Sequence, residues 1–211
     1  MKTASRKYEL KKRAERQDET RQRIVEATVA LHEELGPAQT SISAIAERAG
    51  VGRPTVYRHF PDERALFTAC TTHYHTRHRP PDPTGWRRVA DPEERMRTGL
   101  LEIYRWYRET ERMMTVAARD LAQLPVLAEV LEPQRAWLSE AHAILTDGWP
   151  APFADTLRAV VGHALAFATW RSLARDFGLP DQTVTDPMTA LVVSAARRGV
   201  PAPANGAIVA T

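Results

Sequence analysis

Five residues with side chains suited to nucleic-acid contact fall within seven consecutive positions: Arg53, Thr55, Tyr57, Arg58 and His59. Guanidinium, hydroxyl and imidazole groups bind phosphate oxygens and the edges of bases. A helix that served only for packing would not need so many polar and aromatic groups beside so few apolar ones. The composition of this stretch therefore favours contact with a nucleic acid.

The flanking sequence predicts two short helices joined by a tight turn. One apolar helix face is formed by residues at i, i+3, i+4 and i+7, namely Ile42, Ile45, Ala46 and Ala49. This helix begins behind Thr40 and Ser41 and ends at Gly50, which can adopt the left-handed conformation of a sharp turn. Pro54 fits the first turn of a second helix. Such a pair is a helix-turn-helix, whose second helix enters the DNA major groove, although similar pairs also occur in proteins that bind no DNA.

The run SISAIAERAGVGRPTVYRHFPDERALF resembles the signature of the TetR family of transcriptional regulators. The resemblance covers about Thr20 to Phe67 and is specific. It implies an all-α protein with an N-terminal three-helix DNA-binding domain and a larger C-terminal helical domain for ligand binding and dimerisation.

The resemblance also implies which residues contact DNA. They are Thr40, Ser41, Gly52, Arg53, Pro54, Thr55, Tyr57, Arg58, His59 and Arg64. Thr40 and Ser41 match helix-capping positions that touch backbone phosphates. Residues 52–55 match the start of the reading helix, and Tyr57 and His59 match its phosphate-contacting end.

Two positions depart from the family pattern. Gly52 stands where the family usually has serine, and Glu63 stands where it usually has lysine. The second departure removes a phosphate contact, which we expect the neighbouring Arg64 to supply.

The N-terminal residues are strongly basic. Residues 1–23 contain nine Lys or Arg against four Asp or Glu, although the whole chain carries a net charge of only +3. Residues 1–18 are too poor in apolar side chains to fold alone and are expected to form a disordered basic arm. Next to the second helix of the helix-turn-helix, called the reader below, such an arm would add salt-sensitive attraction to phosphates. The alternative is a solvated tail without a specific role.

Apolar periodicity predicts further helices around the helix-turn-helix. A helix from residue 18 or 19 to Leu35 supplies a third wall of the small core, and another runs from Asp62 to about His75. The DNA-binding domain, with its connecting helix, is therefore expected over residues 19–75. Three histidines near its end, His73, His75 and His78, cannot all point to one helical face, so we expect them at the surface and expect no metal or other cofactor.

The remaining sequence predicts a helical domain over residues 76–199, which follows a proline-rich loop at 79–91. Its predicted helices cover residues 92–108, 111–124, 125–147 with a kink at Pro133, 152–177 and 186–198. The tail at 200–211 is expected to be disordered.

The helix predicted over residues 152–177 is apolar around most of its circumference, so it must be covered on two sides. In a chain of this size we expect a second copy of the chain to cover one of these two sides. The alternative is that the helix lies in the interior of a monomer. The resemblance likewise implies a two-fold dimer whose interface contains four helices, two from each copy. The residues expected at this interface are Val160, Val161, Ala164, Phe167, Ala168, Leu191, Val192 and Ala195.

The resemblance implies a cavity for an effector inside the second domain. Aromatic residues, a methionine and a histidine are candidates for its walls, namely Tyr104, Tyr107, Met114, Trp137, His163, Phe167 and Trp170. The chemistry of these side chains suits a small hydrophobic molecule, which the sequence does not identify. Each of these residues could equally be plain core.

The leading functional hypothesis is a transcriptional repressor that binds a palindromic double-stranded DNA operator as a homodimer and is released by the effector. The alternative is a regulator of the same fold without a small-molecule effector, which is controlled by a partner protein or is constitutive. No Ser/His/Asp arrangement or glycine-rich phosphate loop favours an enzyme. With one cysteine, Cys70, and no apolar run of membrane-spanning length, the chain is expected to be cytoplasmic and not to enter a membrane.

Overall fold

The computed structural model describes residues 2–149 and 154–197, and the regular elements in these ranges are all helical. The α-helices are α1 (Lys2–Leu35), α2 (Ile42–Arg48), α3 (Arg53–His59), α4 (Glu63–Arg77), α5 (Pro92–Asp120), α6 (Pro125–Val130), α7 (Glu132–Thr146), α8 (Ala154–Leu165), α9 (Phe167–Arg171) and α10 (Asp181–Arg197). The predicted all-α fold class is confirmed. The predicted disordered tail at 200–211 lies outside the described residues. None of the described helices combines the length and the apolar character needed to cross a membrane.

The chain forms two compact units. The first contains the described residues through Arg79 together with Thr110–Pro133. The second contains Pro80–Glu109 and the described residues from Gln134 onward. The sequence predicts that residues 110–133 lie in the second domain, but in the structure they belong to the first unit. The end of α5 binds backbone groups near the end of α1, and α6 packs on α4.

The first unit is built around one apolar cluster, which α1, α2, α3 and the start of α4 share. Its buried members are Ile24, Val25, Ala27, Leu31, Ile45, Ala46, Ala49, Val56, Phe60 and Leu66. Helices α2 and α3 contain seven residues each. Helices of this length are not stable alone in water, so both depend on the apolar contacts that they make with α1 and with each other.

Helix α1 begins at Lys2. The disordered arm predicted for residues 1–18 is therefore helical from Lys2 onward. No glycine or proline stands between Lys2 and Leu35, and the segment is rich in residues with good helix propensity. Lys11 and Glu15 form an i,i+4 ion pair at 3.8 Å. The core helix therefore continues outward through polar sequence that has nothing to end it.

Three of the predicted helices differ in extent from the observed ones. The two expected over 92–108 and 111–124 are the single helix α5, because no proline or glycine interrupts the sequence between them. The helix expected from 186 starts at Asp181, and Pro187 lies inside it. The kink predicted at Pro133 is a full interruption in the structure, since the chain leaves the helical path at Leu131 between α6 and α7.

The helix predicted over residues 152–177 is broken at Ala166, whose ψ of 131° is extended. The break deprives the last carbonyls of α8 of helical partners, and two tyrosines of α5 replace them. The Tyr104 hydroxyl donates to the Ala164 oxygen at 2.8 Å, and the Tyr107 hydroxyl donates to the Leu165 oxygen at 2.6 Å. Burial raises the pKa of both phenols, which remain protonated donors. The break is thus stabilised by hydrogen bonds from about 60 residues earlier in the chain.

Tyr107→Phe should lower the free energy of unfolding by about 1–3 kcal/mol, because it leaves the buried Leu165 oxygen without a donor. Urea denaturation of the purified chain measures the change. Tyr8→Phe is the matched control, since Tyr8 is 66% exposed and its hydroxyl can bond to water. Equal stabilities for wild type and Tyr107→Phe would contradict the capping role.

Candidate nucleic-acid interface

Helix α3 is fixed by its buried side and presents its other side to solvent. Val56 is fully buried and Phe60, which caps the helix C-terminally, is 2% exposed. On the outer side Arg53 and Arg58 are exposed, and Tyr57 is 48% exposed although it is a large aromatic residue. The helix therefore holds basic and aromatic groups outward on an anchored base.

The turn before α3 has the conformation predicted for it. Gly50 has a φ of +64°, in the left-handed region that glycine favours. The Val51 amide donates to the Ala46 oxygen at 2.9 Å, and Arg23 of α1 donates to the Ala49 oxygen at 3.2 Å. The angle between α2 and α3 is thus set by backbone bonds and by one arginine from the supporting helix.

The predicted capping residues lie at the start of α2. Ser41 is the N-cap, and its hydroxyl accepts a hydrogen bond from the Ala44 amide at 3.1 Å. The Thr40 hydroxyl donates to the Gly36 oxygen at 2.8 Å. Ser41 is exposed and Thr40 half-exposed, so both hydroxyls are placed where a phosphate could reach them.

The end of α3 is contacted by an arginine of α1, for which the sequence predicts only a basic charge. Arg21 of α1 lies over the Phe60 ring at 4.2 Å and donates to the His59 oxygen at 3.4 Å. Its position three residues before the buried Ile24 is the sequence signal for this packing role. Burial, followed by the charges of Arg58 and Arg21, lowers the pKa of His59, so the imidazole is neutral at pH 7 and acts as a hydrogen-bonding group.

The start of α4 lies beside this end of α3. Asp62 caps α4 by accepting a hydrogen bond from the Ala65 amide at 2.7 Å. Arg64, the expected substitute for the missing lysine, pairs with Glu129 of α6 at 3.1 Å. Both side chains are more than half exposed, so the pair contributes at most about 1 kcal/mol and leaves the arginine able to exchange partners.

Residues 24–70 match the family model described as bacterial regulatory proteins, tetR family. This segment of the chain is therefore similar to the DNA-binding segment of tetR-family regulators. Two curated relatives are similar over 50 residues: an HTH-type transcriptional regulator from Mycobacterium tuberculosis at 40% identity and the HTH-type transcriptional regulator AcrR from Shigella flexneri at 42%. These matches cover 24% of this chain and 26% and 23% of the relatives, so the chain spans about a quarter of the curated proteins that it matches.

The fold of this chain is similar to solved structures over a larger part of its length. The crystal structure of a TetR-like transcriptional regulator from Rhodococcus sp. RHA1 aligns with a TM-score of 0.59 at 19% identity. The alignment covers 84% of this chain and 96% of that chain. The relatives carry names of transcriptional regulators and not of enzymes, and this likeness extends the shared fold beyond the helix-turn-helix.

A polar junction, formed by Arg112, Arg119 and Asp120 of α5, binds the backbone just ahead of α2. Arg112 donates to the Glu33 oxygen at 2.8 Å, and Arg119 donates to the Leu35 oxygen at 2.7 Å. The Asp120 carboxylate accepts from the Ala38 amide at 2.9 Å.

The junction also requires a glycine at the end of α1. Gly36 has a φ of +94°, and a Cβ there would clash with the Arg119 guanidinium and the Asp120 carboxylate. The end of α5 therefore determines the path of the chain that leads to Thr40 and Ser41.

A buried histidine lies beside the junction in the core of the first unit. His32 is 4% exposed and packs edge-on against Phe67 at 5.0 Å, with its Nδ1 atom 3.5 Å from the Cys70 sulfur. Its Nε2 atom is buried and has no hydrogen-bond partner among the described residues. Burial lowers the pKa of His32 to about 4, against the weaker raising effect of Asp120. Burial also raises the pKa of the Cys70 thiol to about 12, so it remains protonated.

Two of the three histidines near the end of α4 contact different side chains. His73 Nδ1 lies 3.3 Å from the Gln22 side-chain nitrogen, and the ring of His78 stacks on Tyr74 at 4.6 Å. Within residues 2–149 and 154–197, no group of three or more His, Cys, Asp or Glu is placed to hold a metal ion.

The structure brings together only some of the expected effector-pocket residues. Tyr104, Tyr107 and Trp170 are buried in the second unit, where Tyr107 meets Trp170 at 5.9 Å and the half-buried Phe167 at 5.3 Å. Trp137 joins this aromatic cluster through Trp106, whose ring is 5.2 Å away.

The other two candidates differ from these in burial or in the unit to which they belong. His163 is exposed, and Met114 belongs to the first unit.

The expected dimer residues divide by burial. Val161, Ala164 and Val192 are fully buried where α8 packs against α10 of the same chain. Leu191 is 41% exposed, and Ala168 is also exposed. The remaining three are half-buried, namely Val160, Phe167 and Ala195. A partner surface is therefore available only through the outer residues of this set.

The stability of the chain should fall as the pH drops from about 6.5 towards 4. In that window the unfolded chain protonates His32 whereas the folded chain keeps it neutral, so protons favour unfolding. Lowering the pKa of His32 from 6.5 to about 4 corresponds to a loss of about 3 kcal/mol in the free energy of unfolding across this window. Unfolding in urea at several pH values measures this slope. His32→Leu should flatten it and the exposed His163→Leu should not, whereas an unchanged slope in His32→Leu would assign the acid sensitivity to other groups.

Proposed function

We propose that this chain is a DNA-binding transcriptional regulator whose helix α3 enters the major groove of its operator. The observation that carries the proposal is the outward display of Arg53, Tyr57 and Arg58 on a helix anchored by Val56 and Phe60, within the segment that matches the tetR family. Guanidinium groups bind guanine edges and phosphates, and exposed tyrosine hydroxyls bind phosphates. The proposal places the protein in the cytoplasm, because its ligand is DNA.

Within α3 we assign different tasks to its two ends. Arg53 and Thr55 lie in the first turn and read bases, as the N-terminal residues of a recognition helix do. Tyr57 and His59 lie in the last turn and, with Thr40 and Ser41 at the start of α2, hold the phosphates on either side of the groove. Arg58 and Arg64 add positive charge at the same end, and Gly52 and Pro54 allow the backbone of the turn to approach the DNA closely.

We propose that the protein acts as a homodimer through the outer faces of α8 and α10. Val161, Ala164 and Val192 bind these two helices to each other, which leaves Val160 and Leu191 to meet a second copy. An exposed leucine on a helix that also buries valine suits an interface between identical chains. Two readers related by a two-fold axis would bind a palindromic operator with half-sites about one helical turn apart.

Repression released by a small hydrophobic ligand is the mechanism that we favour. Aromatic side chains of the second unit offer the walls, and Trp137 and Phe167 are only half-buried there. α5 contributes residues to both units and ends in the polar junction that binds the backbone ahead of α2. A ligand that prefers a displaced α5 would therefore lower DNA affinity by its preference for that state.

One observation favours regulation without a small ligand. Tyr104, Tyr107 and Trp170 are packed with almost no exposure, and the polar atoms of all three are bonded within the chain. A ligand at their position would have to displace a satisfied core. Control by a partner protein, or constitutive binding, needs no such displacement.

Arg53→Ala or Thr55→Ala should change which DNA sequence is preferred, while Tyr57→Ala should weaken binding to all sequences similarly. Loss of the Arg53 base contact should cost about 1–3 kcal/mol on the preferred sequence, and loss of a phosphate contact carries no sequence information. Selection from a random-sequence library, followed by fluorescence anisotropy, measures both effects. Arg105→Ala removes an exposed arginine of the second unit and serves as the control.

The opposite pattern would reverse the assigned roles. Wild-type protein that binds no duplex at low salt, with its folded state verified by circular dichroism, would overturn the DNA-binding function itself.

Leu191→Glu combined with Val160→Glu should convert the dimer into monomers, because the interface would bury two carboxylates from each copy. Sedimentation velocity at micromolar concentrations reports the oligomeric state. Leu121→Glu is the matched control, since Leu121, which follows α5, is 42% exposed against 41% for Leu191 and lies in the other unit. A double variant that still sediments as a dimer would place the interface elsewhere.

A further inference from the structure

Helix α1 extends well beyond the domain that it supports. The side chains of residues 8–19 are exposed, and the buried face of the helix begins at Ile24. The segment that matches the tetR family also begins at residue 24. The preceding part, Lys2–Arg23, is called the N-terminal extension below, and at 1.5 Å per residue it is about 33 Å long.

The extension begins beside the proposed DNA-contacting surface. Arg21 is fixed on the His59 oxygen and the Phe60 ring at the end of α3. Asp18 and Arg21 line a surface groove together with Asp62 and Arg64 at the start of α4. Because α1 is one uninterrupted helix through this point, its outer part starts next to the end of α3 that is proposed to contact phosphates.

The net positive charge of the chain comes from this extension. Residues 2–16 contain seven Lys or Arg and two Glu, whereas the rest of the chain contains 22 Lys or Arg against 24 Asp or Glu. The side chains of Lys11, Lys12, Arg13 and Arg16 are exposed, and the ion pair of Lys11 with Glu15 is a weak surface pair at 3.8 Å. This charge is therefore available to an external anionic partner.

We propose that the N-terminal extension is a second DNA-binding element that lies along the phosphates flanking each operator half-site. The inference rests on the proposed function, because it places the extension next to a reader already bound in the major groove. A basic helix continuous with the reader's support is held in position before binding, so less conformational entropy is lost than with a disordered arm. Its contacts are to phosphates and add affinity without sequence preference.

DNA suits the extension better than a membrane surface does. A helix that binds in the membrane interface needs a continuous apolar face. Among the described side chains of the extension, the exposed large apolar ones are only Tyr8 and Leu10. The charge of the extension complements a polyphosphate chain, and its position continues the proposed interface.

The test compares two variants of the full chain that lose four positive charges each. One carries Lys11→Gln, Lys12→Gln, Arg13→Gln and Arg16→Gln in the extension. The control carries Arg87→Gln, Arg88→Gln, Arg105→Gln and Arg171→Gln, all exposed residues of the second unit. Glutamine retains helix propensity, and circular dichroism verifies the helix content of both variants.

The probe is the DNA sequence that the wild-type chain selects from a random library, with and without about ten flanking base pairs on each side. Affinity is measured by fluorescence anisotropy over a range of salt concentrations. Each lost phosphate contact lowers the salt slope of log K by about 0.9, so the extension variant should lose about 2–4 from the slope for each bound chain. It should also lose the gain in affinity that flanking DNA gives to the wild type and to the control, while the preferred sequence stays the same.

The other outcomes separate this inference from the proposed function. Wild-type protein that prefers no sequence overturns the sequence-specific function. Specific binding by wild type, with the same salt slope and flank dependence in the extension variant, overturns only the role of the extension. Binding of wild type to phosphatidylglycerol vesicles that is lost in the extension variant, with DNA affinity unchanged, would assign the extension to a membrane and overturn the inference.

Discussion

The arrangement of the exposed polar and aromatic side chains of α3 depends on the burial of a few apolar groups beneath two very short helices. Helices of seven residues do not persist in water by hydrogen bonding alone. Ile45 in α2 and Val56 in α3 are almost fully buried against α1, and Phe60 closes the end of α3. Their burial allows the opposite face of α3 to hold polar and aromatic side chains that add nothing to the core. The display of Arg53 and its neighbours is thus a consequence of packing on the other side.

The second constraint is that polar groups at two interruptions of the helices of the second unit have hydrogen-bond partners. The break at Ala166 is tolerated because Tyr104 and Tyr107 donate to the carbonyls that it exposes. Asp181 likewise accepts hydrogen bonds from Arg108 and Trp170 at the start of α10. In both places the partner comes from α5 or from a neighbouring helix of the second unit, so the polar bonds also fix how the helices pack.

Local signals were sufficient to predict the reader, and distant contacts explain most of what was missed. The cap at Ser41, the left-handed Gly50 and the break ahead of Pro133 each follow from one or two adjacent residues, and the structure contains all three. The break at Ala166 has no local cause, because no glycine or proline lies there and its stabilising donors are about 60 residues away. Residues 110–133 join the first unit through bonds to backbone atoms, which leave no pattern in apolar periodicity.

The bonds at the end of α5 also bear on how the reader can be controlled. Arg119 and Asp120 bind the Leu35 oxygen and the Ala38 amide, which are main-chain atoms on either side of Gly36. These bonds join side chains of α5 to main-chain atoms, so they hold the chain path itself. Any displacement of this part of α5 must therefore break them or move the segment that leads to Ser41. Because Ser41 caps α2, and α2 with its turn sets the orientation of α3, a displacement at Gly36 would reach α3 through the backbone.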